Sequence, residues 1–229
     1  MKKGQSHSFS IRIADISDLE KLTDMHMDSF RPKDHVPVKL GWRYVKSNYR
    51  WLINNRNSYT LVAEADGKLV GLIAVCDGSF TRPMFKAGFG EFCLVLLRRP
   101  GLLFDRNLWE RLLRRSASSE LASKYANLPG FAQMTIGAVA EGYRGKGVFP
   151  ALIEATSVES KTRGSKAIRA GMYKSNRSVH RAFEKAGWVI APVFETEDTL
   201  FFVKYLDPEF ENIILNEIGN IQHINHYVD

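Results

Sequence analysis

The run Arg144-Gly145-Lys146-Gly147-Val148-Phe149 sets two basic side chains among two glycines and leads directly into Pro150-Ala151-Leu152-Ile153. The chemistry this offers is anion binding. Glycine lets the backbone turn sharply and come close to a ligand, so successive N–H groups can converge on one point. A helix that begins there adds unsatisfied donors and the positive end of its dipole, which makes a phosphate the natural guest. Arg144 and Lys146 add mobile positive charge. Pro150 suits the first helical turn, because its ring fixes φ and it has no N–H to leave unpaired. The plainer reading of the same residues is a strand-to-helix turn of the kind many α/β proteins use. The run lacks the lysine followed by Ser or Thr of a P-loop, and it lacks the Gly-x-Gly-x-x-Gly of a dinucleotide site.

These residues need a strand before them and a helix after them. Met134-Thr135-Ile136-Gly137-Ala138-Val139 reads as a buried strand that turns at Glu141-Gly142-Tyr143, and the helix runs from Pro150 to about Lys161, with Gly164 past its end. Ala167 to Tyr173 forms the next, parallel strand. Asn176 to Ala186 is a helix with Asn176 near its start and Gly187 beyond it. Trp188-Val189-Ile190 and Leu200 to Tyr205 are closing strands.

Toward the N-terminus, Phe9 to Ala14 alternates as a half-buried strand. Asp15 or Ser17 can cap a helix whose buried face carries Leu19, Leu22, Met25, His26 and Phe30. An aromatic-rich helix follows over Leu40 to Ile53. Tyr59–Glu64 and Leu69–Val75 flank Ala65-Asp66-Gly67-Lys68, a hairpin signal that makes those strands antiparallel neighbours. An insertion at about 77–131 contains the apolar run Phe89 to Leu97 and a basic amphipathic helical piece from Leu102 to Leu113, which reads as a surface helix or as a contact for a membrane or an acidic partner. The expected organisation is one domain over 1–206, with a C-terminal helix and tail over 207–229.

At 229 residues, 45% hydrophobic and 25% charged, the chain has the composition of a globular protein. A net charge of +7 suits an anionic ligand. No apolar run approaches the roughly 18 residues of a membrane span, and no signal-peptide core follows the basic N-terminus, so a cytoplasmic protein is expected. Cys76 and Cys93 cannot build a disulfide framework and are read as buried, inert thiols. No Cys/His spacing suggests a metal, and no recognised nucleic-acid module is present.

The order of strand, basic glycine turn, helix, strand, Asn-led helix and Gly-aromatic resembles the GNAT superfamily of acyl-CoA-dependent N-acyltransferases. Arg144 and Gly147 match its pyrophosphate signature, with Phe149 where a small residue is usual. Asn176 to Trp188 resembles the Asn-led helix ending in Lys-x-Gly-aromatic. The resemblance implies an α/β fold with a mixed, mostly antiparallel central sheet, one splayed parallel strand pair, flanking helices and a helical insertion. It implies acetyl-CoA as cosubstrate, bound by Ala138, Val139, Arg144, Gly145, Lys146, Gly147, Val148, Phe149 and Asn176. Main-chain N–H groups near Val139 would polarise the thioester carbonyl. At Phe183 many relatives carry a tyrosine that protonates the departing thiolate, and phenylalanine has no proton to give.

An attacking amine must lose a proton. His26, Glu91 and Tyr173 are the candidates, Tyr173 also as a donor or a lining residue of the acceptor site. His26, the aromatic helix and the insertion further resemble a bacterial subgroup that modifies surface polysaccharides or sugars, which implies an amino sugar or sugar nucleotide as the small-molecule amine acceptor. A homodimer is a further expectation. The rival expectation is a catalytically silent acyl-CoA sensor or partner-binding module.

Overall fold

The computed structural model describes residues 8–33, 35–114 and 128–212. The first strand, β1 (Ser10–Ile13), pairs antiparallel with β2 (Ser58–Ala65), which turns back into β3 (Lys68–Asp77). Asp66 and Gly67 both take positive φ, 51° and 72°, as a two-residue turn that matches the right-handed strand twist requires. The sheet continues through β4 (Phe131–Val139), β5 (Ala167–Tyr173), β6 (Val189–Ile190) and β7 (Thr199–Tyr205). The spatial order is β1-β2-β3-β4-β5-β7-β6, and β4 with β5 is the parallel pair.

Helices cover both faces. On one side lie α1 (Leu19–Ser29) and, past a short α2 (Val36–Leu40), α3 (Trp42–Asn54). Leu22, Met25, Val45, Tyr49 and Leu52 pack there against Val62, Leu72, Ala74 and Ala138 of the sheet. Asp15 caps the turn before α1 by accepting from the Ser17 amide at 2.7 Å. Arg12 holds Asp18 by two bonds of 2.6 and 2.8 Å. The sequence predicts one helix over Leu40 to Ile53. The chain instead breaks at Gly41, whose φ of 100° no helix can contain, so α2 and α3 meet at an angle.

Between β3 and β4 come α4 (Thr81–Ala87), α5 (Phe89–Arg98), a 3-10 turn (Pro100–Phe104) and α6 (Arg106–Arg114). The helical piece expected from Leu102 to Leu113 therefore begins as a 3-10 turn and becomes α-helical only at Arg106. Phe92 and Leu108 pack with Leu40 and Tyr44 of the N-terminal helices, and the Phe92 ring meets those of Phe85 and Trp109. On the opposite face of the sheet lie α7 (Val148–Thr162) and α8 (Arg177–Lys185). Val148, Leu152, Ile153 and Phe183 close that core with Ile73, Ile168, Ala170, Trp188 and Phe202. The expected C-terminal segment runs through a helical turn at 208–212 whose Phe210 is buried. The remainder of the tail, with Ile213 to Ile218, His223 and His226, and the polar stretch around Ser116 to Ser119 lie outside the described residues. No helix among the described residues is long and apolar enough to cross a membrane.

Candidate active site

Pairing between β4 and β5 runs from Phe131–Ala167 to Met134–Ala170 and stops. It stops because β4 bulges there: Ala74 of β3 faces Ile136 and Val75 faces Met134, so Thr135 is an extra residue. Its hydroxyl donates to the Ala74 carbonyl at 3.2 Å. A bulge bends its strand and increases the local twist. Residues 135–139 of β4 stay on β3, while residues 171–173 of β5 stay on β7. The facing edges separate, and the alternating N–H and C=O groups that would bridge them are left to pair with something else.

The diverging end of β4 delivers the chain to the glycine turn. Glu141–Tyr143 is one 3-10 turn, Arg144 is extended, and Gly145 and Gly147 stand at φ 73° and 83°. A side chain would be strained at both positions. Gly147 is the cap residue of α7, and no side chain caps that helix. Among the described residues the amides of Gly145, Gly147, Val148 and Phe149 find no backbone acceptor. The helix starts at Val148, two residues before the expected Pro150, which places Pro150 inside the first turn. The Arg144 guanidinium is exposed and reaches back to the Val139 carbonyl at 3.2 Å, and the Lys146 ammonium lies 5.0 Å from the centre of the Tyr143 ring. These donors and charges fit an anionic diphosphate.

The fold brings the expected cofactor residues Ala138, Val139, Arg144, Gly145, Lys146, Gly147, Val148 and Phe149 into this one turn and its flanks. Phe149 does not fill the turn. Its ring lies on β4, 3.1 Å from where a Cβ on Gly137 would stand, and meets Phe183 edge to face at 6.0 Å. Asn176 opens α8, although its side chain does not cap the helix and instead accepts from the Ser178 hydroxyl at 3.1 Å.

The proton-handling candidates are not brought together. His26 is buried at 5% exposure, with Nδ1 2.9 Å from the Tyr49 hydroxyl and Nε2 3.3 Å from Nδ1 of His35. Burial first, and the neighbouring His35 second, push its pKa down to about 3. Glu91 sits on α5, whose packing partners are α3, α4 and the 3-10 turn, and its Oε2 is buried without a partner among the described residues. Tyr173 ends β5 at the mouth of the splay and is 53% exposed. Phe183 is a core side chain, ringed by Phe149, Trp188 and Phe202.

Sequence reasoning gave no role to His180, which donates from Nε2 to the Tyr173 carbonyl at 3.1 Å and ties α8 to the end of β5. Its position in the Asn-led helix was readable, but its bond to β5 was not. His35 was also missed, for it lies beyond a proline break that hides its return to His26. Cys76 is buried and its thiol is pushed up to about 12, while Cys93 is half-buried. A cavity lined by Arg56, Asn57, Tyr59, Asp77 and Arg163 opens at the far end of β3 from the glycine turn.

No protein-family model matches the chain. An uncharacterized N-acetyltransferase of Archaeoglobus fulgidus is 30% identical over 119 residues, which span 48% of this chain and 79% of that protein. The chain belongs to the GNAT N-acetyltransferase family. Its fold agrees with solved members at low identity. An N-acetyltransferase of Thermoplasma acidophilum in complex with coenzyme A aligns at a TM-score of 0.55 and 14% identity, over 86% of this GNAT chain and 99% of its own. A Salmonella typhimurium protein solved with acetyl-CoA as its cofactor aligns at 0.54 and 16%, over 87% and 95%. The mostly antiparallel sheet with a parallel β4–β5 pair is the architecture these share with the present protein.

Proposed function

We propose that this acyltransferase moves an acetyl group from acetyl-CoA directly to the amine of a small acceptor. The observation that carries the reading is the bulge at Thr135, which opens β4 from β5 ahead of a glycine turn whose Gly145, Gly147, Val148 and Phe149 amides find no backbone acceptor among the described residues. Gly145, Gly147, Val148 and Phe149 would hold the diphosphate through main-chain N–H groups, with Arg144 and Lys146 as counter-charges. The separated edges of β4 and β5 would pair with the amides of the pantetheine arm, as a missing strand would. The cosubstrate supplies an activated acyl carbon. Main-chain N–H groups around Val139 would donate to the thioester oxygen, a contribution of roughly 3 kcal/mol per donor in other enzymes.

A proton must leave the amine, and another must reach the thiolate. We assign the second role to Tyr173, an exposed phenol at the splay, since Phe183 has no proton to give. Neutral His26, at a pKa of about 3 and sealed under Tyr49 and His35, is a weak base without a path to the acceptor. Water at the open mouth of the splay serves for the amine. The amino sugar or sugar nucleotide implied by the sequence resemblance is the first acceptor class to test.

The test is calorimetric titration of coenzyme A into the protein and into the Arg144→Glu, Gly147→Glu double variant, with melting checked in both. One lost guanidinium contact and two carboxylates set beside the diphosphate correspond to a weakening of about 100-fold or more. Unchanged affinity sinks the assignment of the turn. Thiol release from acetyl-CoA across a panel of amines then separates an enzyme from a silent acyl-CoA binder.

A further inference from the structure

β5 alternates cleanly. Ile168, Ala170 and Met172 point into the core beneath α7 and α8, which leaves Arg169, Gly171 and Tyr173 on the other face. Arg169 shares a register row with Gln133 of β4 and Val203 of β7, one step before the last β4–β5 pair. It therefore stands at the closed end of the splay, on the face opposite the glycine turn's helix. A cosubstrate held by α7 would present its acyl carbon through the splay, and an acceptor would then reach that carbon from the face Arg169 occupies.

The environment of Arg169 is unusual for a charge. Its guanidinium lies 4.9 Å from the Phe194 ring centre and 5.6 Å from that of Phe201. Among the described residues its Nε is buried without a hydrogen-bond partner and no carboxylate pairs with it. Burial lowers its pKa to about 10, which still leaves it cationic at neutral pH. A partly desolvated, unpaired charge costs folding free energy, and the aromatic rings recover only part of that cost. They do fix the guanidinium plane, and a fixed plane suits two-point recognition of an anionic group. Next on the same face is Gly171, where the Phe201 ring takes the space of a side chain, 2.7 Å from where a Cβ would stand. The floor between Arg169 and the exposed Tyr173 is thus bare backbone and ring. Arg169 and Tyr173 are two same-face steps apart, about 14 Å from Cα to Cα along the strand, a span shared between the long Arg169 side chain and an amine that carries an acidic group a few bonds away.

We propose that Arg169, with Gln133 beside it, binds the anionic group of the amine acceptor, a carboxylate or a phosphate, and so selects acidic amines as substrates. This rests on the acyltransferase reading above. The test uses the full chain with saturating acetyl-CoA and follows thiol release from matched acceptors: glycine against glycinamide, β-alanine against β-alaninamide, and glucosamine 6-phosphate against glucosamine. The expected result is a preference of about tenfold or more in kcat/KM for the acidic member of a pair, as one charge-assisted contact supplies. Arg169→Gln should abolish that preference through KM, and Arg169→Lys should retain part of it. The arm that shows the preference distinguishes carboxylate from phosphate. Equal use of acidic and neutral members, or a preference that survives Arg169→Gln, overturns the proposal. Calorimetry with coenzyme A runs alongside: intact binding with no Arg169 effect removes the subsite alone, whereas failure of the wild-type protein to bind coenzyme A overturns both readings.

Discussion

His26 shows how much a side chain's meaning depends on what covers it. In the sequence it is a base candidate on an apolar helix face. In the fold both ring nitrogens have partners, Nδ1 the Tyr49 hydroxyl and Nε2 the His35 ring. Burial holds the Tyr49 phenol protonated as well. The folded-state pKa of His26, about 3 against an ordinary 6.5, carries a signed consequence. Between those values the unfolded chain binds the proton and the folded chain does not, so His26 lowers stability as pH falls through that window. Its full contribution is present above 6.5. The slope approaches about 1.4 kcal/mol per pH unit for one proton. Urea unfolding of the wild type and of His26→Gln should give a stability difference that narrows from pH 6.5 downward, and a flat difference would mean that the ring is solvated. Arg169 makes the complementary point. The sequence gives it no role beyond membership of the strand Ala167 to Tyr173, because the rings beside it, Phe194 and Phe201, lie far along the chain.

At the level of elements, legibility follows the range of the causes. The Asp66-Gly67 hairpin and the full span of β5 were readable because their determinants are local: two residues able to adopt positive φ, and an apolar run between turn residues. The break at Gly41 and the bulge at Thr135 were not. A glycine inside an aromatic helix pattern does not announce its φ, and no residue type marks the position where a strand takes an extra residue. The splay, which is the feature most closely tied to function, was accordingly inferred from resemblance rather than read from β4 itself. The seating of α7 is a further element-scale device. A Cβ on Gly71 would stand 2.8 Å from Leu152 Cδ1 and from Val148 Cγ1, so the bare backbone of β3 lets the first turns of α7 settle against the sheet. Gly71→Ala should cost about 1–3 kcal/mol through overpacking, visible as a lowered Tm. Because Val148 is in the first turn of α7, the same substitution should weaken coenzyme A binding more than a stability loss elsewhere does. Leu22→Ala, an equally buried site on the α1 side, is the comparison; equal affinities for the two variants would detach the seating of α7 from the phosphate turn.

For the molecule as a whole, the net charge of +7 acts on association with an anionic ligand rather than on the fold. Part of that charge, Arg144 and Lys146, is exposed beside the glycine turn. Exposed charges are screened over about 10 Å at 0.1 M salt and about 3 Å at 1 M, so the long-range part of the attraction fades across that interval while short-range contacts made by main-chain amides persist. Coenzyme A should therefore bind several-fold more weakly at about 0.5 M than at about 0.05 M sodium chloride. Pantetheine, which carries no phosphate, should bind weakly and show little salt dependence. The contrast separates the two halves of the proposed site, with the charged turn reporting through salt and the opened strand edges reporting through pantetheine. Calorimetry of both ligands at both salt concentrations reads it directly. If salt weakened pantetheine as much as coenzyme A, the effect would belong to the protein's general stability and not to the phosphate turn.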